Sequence, residues 1–327
     1  EFDTKILENN NVMIDDQFIG KINGLKLELD LKQGALETDI KSLKKAARKT
    51  IGPELENRIQ IIIDTGLVEL KNDSKIYWNN ASIGRLIPGK DYLSPNIELL
   101  VDDMLEQNQK SKLITFLEKW LKNKISTVLK SLYDLKDLKD KNSSIKALAY
   151  QLYENNGVIK RDKVTEYLKK LDQNDRKILR DLGVKFGRYH VFLFKLIKPE
   201  PVSLRTLLWK NHNQKYFNLE PPTFGLNFLN DNKIQNKNFM LLCGFEKFNN
   251  FYIRIDILER LFVQIINSDT KDMKEIKMIP EMLNLLGCKK DDFKQLLRAM
   301  SYKILEKDNV VFFKYNPKKK VKPQNKE

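Results

Sequence analysis

Nine apolar residues recur at spacings of three and four in the middle of the chain: Leu113, Phe116, Leu117, Trp120, Leu121, Ile125, Val128, Leu129 and Leu132. Lys112, Lys119, Lys122 and Lys124 fall on the other faces. Only a helix gathers such a stripe onto one side, here over about six turns, and a stripe of that length must be covered by further elements. Helical spacing also runs through 36–64, on Ala46, Ala47, Ile51, Leu55, Ile59 and Ile62, where Gly52-Pro53 predicts two helices rather than one. Ser143 and Ser144 are N-cap candidates for a helix that stops at Asn155-Asn156-Gly157. Shorter helices are expected over 162–171, 175–182 (closed by Gly183), 202–211, 256–266, 280–286 and 291–300.

The strand signals are short and local. Residues 18–31 alternate around Asn23-Gly24 and read as a hairpin. Three runs at 67–70, 75–78 and 83–86, separated by Asn-Asp and Asn-Asn, read as a small meander ending at Pro88-Gly89. Runs 302–307 and 310–315 flank Asp308-Asn309 as a second hairpin. No internal repeat stands out at a fixed period. The expected class is therefore mainly α with small β elements (α+β). The expected divisions are a mixed part over 1–105, a helical part over 106–225, a C-terminal part over 226–316 and a basic disordered tail over 317–327.

Hydrophobic residues make up 41% and charged residues 31%, the balance of a packed globular chain rather than a disordered one. No run of about 18 apolar residues is present, so no membrane span is expected. The sequence begins at Glu1 with nothing resembling a signal peptide, and is expected to be processed or a piece of something larger. Cys243 and Cys288 stand far apart, which argues against a disulfide framework or zinc site and for a reducing, cytoplasmic setting.

Charge narrows the partner. The formal net charge is +15, pointing to an anionic ligand, nucleic acid first. A Lys- and Asn-rich genome bias would spread that excess evenly. Instead residues 177–215 hold nine Lys or Arg against two acids, Asp181 and Glu200, and the tail 317–327 holds five Lys against one Glu.

Motifs for catalysis are missing. The sequence has no phosphate-cradling G-x-x-x-x-G-K-[ST] loop, paired acidic box for Mg²⁺, G-x-G-x-x-G after a strand, metal-spaced His/Cys cluster or G-x-S-x-G elbow. Neither His190 nor His212 has an obvious relay partner in the sequence.

The informative stretch is LRDLGVKFGRYHVFLFKLIKPEPVSLRTLLW at 179–209. It interleaves Arg180, Lys185, Arg188, Lys195, Lys198 and Arg205 with Phe186, Tyr189, His190, Phe192 and Trp209. Cations neutralise phosphates and release counterions, while rings stack on unpaired bases. The plainer reading makes Val184, Phe186, Val191, Leu193 and Leu196 core and the bases solvated. By itself His190 reads as a structural hydrogen-bonding residue rather than a catalyst.

The C-terminal order is helix, Gly287-Cys288, helix and hairpin. It suits a winged helix presenting Lys289, Lys290, Lys294 and Arg298, with Lys303, Lys307 and Lys314 on the wing. A protein-binding role suits it equally.

Residues 182–209 carry a resemblance. LGVKFGRYHVFLFKLIKPEPVSLRTLLW is similar to an L-G-V-R-F-G-x-x-x-V-F-L-P-A-L-L-K-P-x-x-x-x-L-R-x-L-L-W signature in the C-terminal region of alphaproteobacterial superfamily-2 helicases. Those proteins are related to the mitochondrial degradosome RNA helicase. GKINGLKLELD, IGRLIPGKDYLSPNIELL, AYQLYENNGVIKR and GFEKFNNFYIRIDILERL resemble further elements of that region, in the same order, so the likeness runs from about Gly20 to Tyr302. Phe194 stands where the family usually has Pro, and Lys185 where Arg is usual; the Lys keeps the charge but loses the bidentate fork.

The resemblance implies an accessory region that follows two motor domains and grips RNA or another unwound single strand. Lys185, Arg188, Lys195, Lys198 and Arg205 would meet phosphates. Tyr189 and Trp209 are stacking candidates or buried residues, and His190 lies among them. ATP and Mg²⁺ would belong to the motor domains, with no cofactor held by this chain. The alternative is an interaction scaffold that docks a nuclease or ribosomal partner.

Overall fold

The computed structural model describes residues 3–30, 37–231, 235–268 and 275–317. Within them the fold is α+β, with five small antiparallel sheets. The chain divides into two compact units. One comprises 1–127 and 207–217; the other comprises 128–206 and 218–327.

The first unit opens with a four-stranded meander of β1 (Thr4–Ile6), β2 (Asn11–Ile14), β3 (Gln17–Asn23) and β4 (Lys26–Leu29). The hairpin expected around Asn23-Gly24 is its β3–β4 half, with Asn23 opposite Lys26 and Gly24 at φ +59°. A Cβ on Gly24 would come within 2.7 Å of the Ala81 side chain, so this turn needs glycine for both its conformation and its close packing.

Helix α1 (Glu37–Thr65) corrects the two-helix expectation, because Pro53 lies inside one continuous helix. Ala47, Ile51, Leu55, Ile59 and Ile62 are all buried on one stripe, and that burial outweighs the bond Pro53 cannot donate. Arg58 of this helix donates to the Gly24 carbonyl (3.0 Å) and the Asn10 side chain (2.8 Å), fastening the first sheet to α1.

A second meander follows, β5 (Glu69–Leu70), β6 (Lys75–Trp78), β7 (Ala81–Ile87) and β8 (Asn96–Leu99), one strand longer than expected. Helix α2 (Gln107–Val128) buries Leu113, Leu117, Leu121 and Ile125 of the stripe read from the sequence, leaves Phe116, Trp120 and Val128 half-buried, and ends before Leu129 and Leu132. None of the helices among the described residues is long and apolar enough to cross a membrane.

The second unit begins with α3 (Lys130–Asp134) and α4 (Ser143–Glu154). Asn142 caps α4, its side chain accepting from the Ile145 N–H; the serines proposed as caps lie inside the helix. Next come β9 (Val158–Lys160), α5 (Thr165–Lys169), α6 (Gln173–Asp181), β10 (Val184–Phe186) and β11 (His190–Leu193). A short 3₁₀ turn at Phe194–Ile197 leads to α7 (Pro199–His212), whose residues from Leu207 on are counted with the first unit. The chain continues through β12 (Phe228–Asn230), α8 (Lys237–Leu242), β13 (Phe245–Phe248) and β14 (Phe251–Arg254). It closes with α9 (Ile255–Asn267), β15 (Ile276–Lys277), α10 (Pro280–Leu286), α11 (Lys290–Ala299), β16 (Tyr302–Lys307) and β17 (Val310–Tyr315).

Three-dimensional order reveals a repeat that the sequence hides. Helices α4, α7 and α9 begin at Ser143, Pro199 and Ile255, 56 residues apart each time. Each is followed by a strand, then further helix, then a hairpin. The three sheets share one pattern, β10-β11-β9, β12-β14-β13 and β15-β17-β16, in which the hairpin's second strand sits in the middle. A residue with positive φ precedes each hairpin: Gly183 (+97°), Gly244 (+86°) and Ser301 (+71°). The expected tail lies outside the described residues from 318 onward.

Candidate nucleic-acid interface

The basic–aromatic stretch is built onto the first of these repeats, inside the second unit. Helix α6 starts with a capping box in which Asp172 and Asp175 each accept from the other's backbone N–H. Asp175 is further held by the Asn142 side chain at 2.7 Å. On the helix so fixed, Arg176 and Arg180 are four residues apart and share a face. Gly183 ends α6 and turns the chain into the β10–β11 hairpin.

The hairpin tip is locked from outside. Glu259 on α9 accepts from the backbone N–H groups of Arg188, Tyr189 (2.9 Å) and His190 (3.1 Å). Arg161 donates to the Gly187 carbonyl at 2.8 Å. Burial first, then the like charges of Arg176 and Arg188, draw the Arg161 pKa below its ordinary value. The nearby Glu259 carboxylate offsets part of that crowding.

Together these elements line an open groove of about 1260 Å³. Arg176 and Arg180 come from α6, Arg161 from the turn after β9, Lys185 and Arg188 from the hairpin, Lys198 from the entry to α7, and Arg260 from α9. Two carboxylates, Asp256 and Glu259, share the lining. Both are committed: Asp256 to the Arg254 guanidinium at 2.6 and 2.8 Å, Glu259 to the hairpin backbone. The groove thus keeps a surplus of cationic groups, most of them exposed.

The sequence-derived residues fare differently. Lys185, Arg188 and Lys198 line the groove and are exposed. Lys195 is exposed but is not part of the lining. Arg205 is a correction: it is wholly enclosed and donates to the carbonyls of Asn156 (2.6 Å) and Leu242 (3.2 Å), so no phosphate reaches it in this fold. Trp209 belongs to the first unit and stacks on Tyr216, with ring centres 5.3 Å apart. Tyr189 packs edge-on against Phe262 and beside the C-terminal core, and burial drives its hydroxyl pKa far up.

His190 is 2% exposed, with Nε2 3.0 Å from Glu246 and Nδ1 3.7 Å from Glu259. Burial opposes its charge, but the hydrogen bond to Glu246 and the nearby Glu259 carboxylate prevail and raise its pKa. The residue ties all three repeats together, since Glu246 lies on β13 and Glu259 on α9. That is a structural role.

Sequence reasoning missed Arg161, Arg176, Arg260, Phe194 and Phe262 as groove residues. The i, i+4 spacing of Arg176 and Arg180 on an expected helix was the available signal for one of them.

No group of three His, Cys, Asp or Glu side chains among the described residues is placed to hold a metal ion, and the chain lacks a phosphate-binding glycine loop. Comparison with protein-family models, with curated proteins and with solved structures gives no match.

Proposed function

We propose that this chain is a nucleic-acid-binding accessory region of an ATP-dependent helicase, gripping the backbone of an unwound strand while motor domains outside this sequence hydrolyse ATP. The observation that carries the reading is the groove, where seven cationic side chains from five stretches converge and both acids are already bonded. Convergence of bases from distant positions is the electrostatic footprint of a polyanion site. The helix–strand–helix–helix–hairpin order of 255–315, with the last strand central, supports a winged helix there. The same order at 143–193 supports a second, whose α6 and hairpin line the groove.

Binding of a fluorescent single-stranded RNA across a salt series tests this reading. Affinity falls with salt, and an Arg176→Ala/Lys185→Ala/Arg188→Ala variant binds more weakly with a log–log slope shallower by about 2, at roughly 0.7 per lost contact on a single strand. Equal slopes for variant and wild type contradict the reading. One observation favours the scaffold alternative: Val263 and Ile266 on α9 are about half exposed at the groove edge, at 54% and 53%. A partner nuclease or ribosomal protein would cover them. Competition by polyglutamate as effective as that by RNA would favour this second reading.

A further inference from the structure

Three phenylalanines line the groove without being sealed in the core: Phe186 at the end of β10, Phe194 just after β11, and Phe262 on α9. All three are half-buried. Each carries a cation from a neighbouring segment. The Arg176 guanidinium stands 5.4 Å from the Phe186 ring centre, the Lys185 ammonium 5.0 Å from Phe194, and the Arg188 guanidinium 5.4 Å from Phe262. These distances are those of cation–π pairs.

The pairing has a consequence for what the groove holds. A ring with an adjacent cation offers two contacts at nucleotide scale: a face for a base and a charge for the phosphate attached to it. A groove that recognised only a phosphate row, as on the outside of a duplex, would need the charges and not the rings. In a duplex the base faces are stacked on one another and unavailable to rings at the protein surface. A groove for an acidic peptide would likewise gain nothing from flat rings beside three of its cations. We infer that Phe186, Phe194 and Phe262 are base-stacking positions, and that the groove selects strands with unpaired, accessible bases over duplexes and over acidic polypeptides. The inference rests on the nucleic-acid reading above and adds its substrate class and three binding residues.

The test uses the full chain and three fluorescent probes of equal length: an unstructured single-stranded oligonucleotide, the same sugar–phosphate backbone without bases, and a blunt duplex. Wild-type protein binds the base-bearing strand at least about fivefold more tightly than the base-less one, the lower end of a single stacking contact. Phe186→Leu, Phe194→Leu and Phe262→Leu each weaken binding of the base-bearing strand and leave the base-less strand unchanged. The leucines keep apolar bulk, and the probe comparison on wild type needs no variant. Equal affinity for the strand with and without bases overturns the inference, as does preference for the duplex. If none of the probes binds in a salt-dependent way, the nucleic-acid reading itself fails and takes the stacking assignment with it. Salt-dependent binding that ignores the bases removes the stacking assignment alone.

Discussion

The Glu259 carboxylate occupies the space where a side chain at Gly187 would begin. A Cβ built on Gly187 would lie 2.3 Å from the carboxyl carbon of Glu259, which is held by three successive backbone N–H groups of the hairpin tip. An added methyl group cannot be accommodated unless the carboxylate leaves those donors. Gly187→Ala is therefore expected to destabilise the second unit by about 1–3 kcal/mol, the cost of unsatisfied buried groups. In a Glu259→Ala background the same change should cost much less. A double-mutant cycle from denaturant unfolding measures this, and strict additivity would refute the coupling.

His190 and Glu246 make stability depend on pH in opposite directions. The His190 pKa is raised above 6.5: burial works against that, but Glu246 and Glu259 prevail. Its stabilising contribution is complete below about pH 6.5 and is lost as pH rises through the raised value. The Glu246 pKa is lowered below 4.5: burial again opposes, and His190 and Lys160 prevail. Its contribution is complete above that value and is lost as pH falls through the lowered one. The thermal midpoint should accordingly peak between the two. His190→Gln should lower the midpoint near pH 6 and flatten its alkaline decline. Parallel wild-type and variant profiles above pH 6.5 would contradict this.

Arg205 is expected to matter for folding and not for ligand. Arg205→Ala leaves the Asn156 and Leu242 carbonyls without their donor and should cost about 3 kcal/mol of stability. RNA affinity of the variant, measured at a temperature where it remains folded, should stay at the wild-type level. A selective loss of affinity with stability unchanged would reverse the assignment.

The thiols should be sluggish. Cys243 is buried, and burial with the nearby Asp292 charge pushes the Cys288 thiol up to about 11. Native protein at pH 8 should react with a disulfide reagent roughly a hundredfold more slowly than an unhindered thiol, because so little thiolate is present. Prompt modification of Cys288 in the folded chain would show a different environment.

Local chemistry was legible in the sequence where one residue decides one turn. Asp308 and Asn309 adopt φ +52° and +62°, as their hairpin reading required, and Gly183 closes α6. Leu113, Leu117, Leu121 and Ile125 of the α2 stripe are buried as their spacing demanded. Features decided by distant partners were not legible. Pro53 predicts a break, yet the buried face on both sides of it keeps α1 whole. The 56-residue repeat is not legible in the sequence because its units share strand order and a positive-φ position rather than residue identities. Part of the site was visible, since Lys185, Arg188 and Lys198 lie close together in the chain. Arg161, Arg176 and Arg260 reach the same groove only through tertiary packing, Arg161 by its bond to the Gly187 carbonyl, Arg176 beside the Phe186 ring and Arg260 on α9, and Arg205 leaves the set because α7 turns it inward.

Zero-length photo-cross-linking reads directly where a bound strand lies. A 4-thiouridine-substituted single-stranded RNA irradiated with the full chain should give adducts on peptides containing Phe186, Phe194 and Phe262. Arg176→Ala/Lys185→Ala/Arg188→Ala should diminish them together. Adducts confined to 289–314 or to the first unit, undiminished in that variant, would contradict the groove as the binding site.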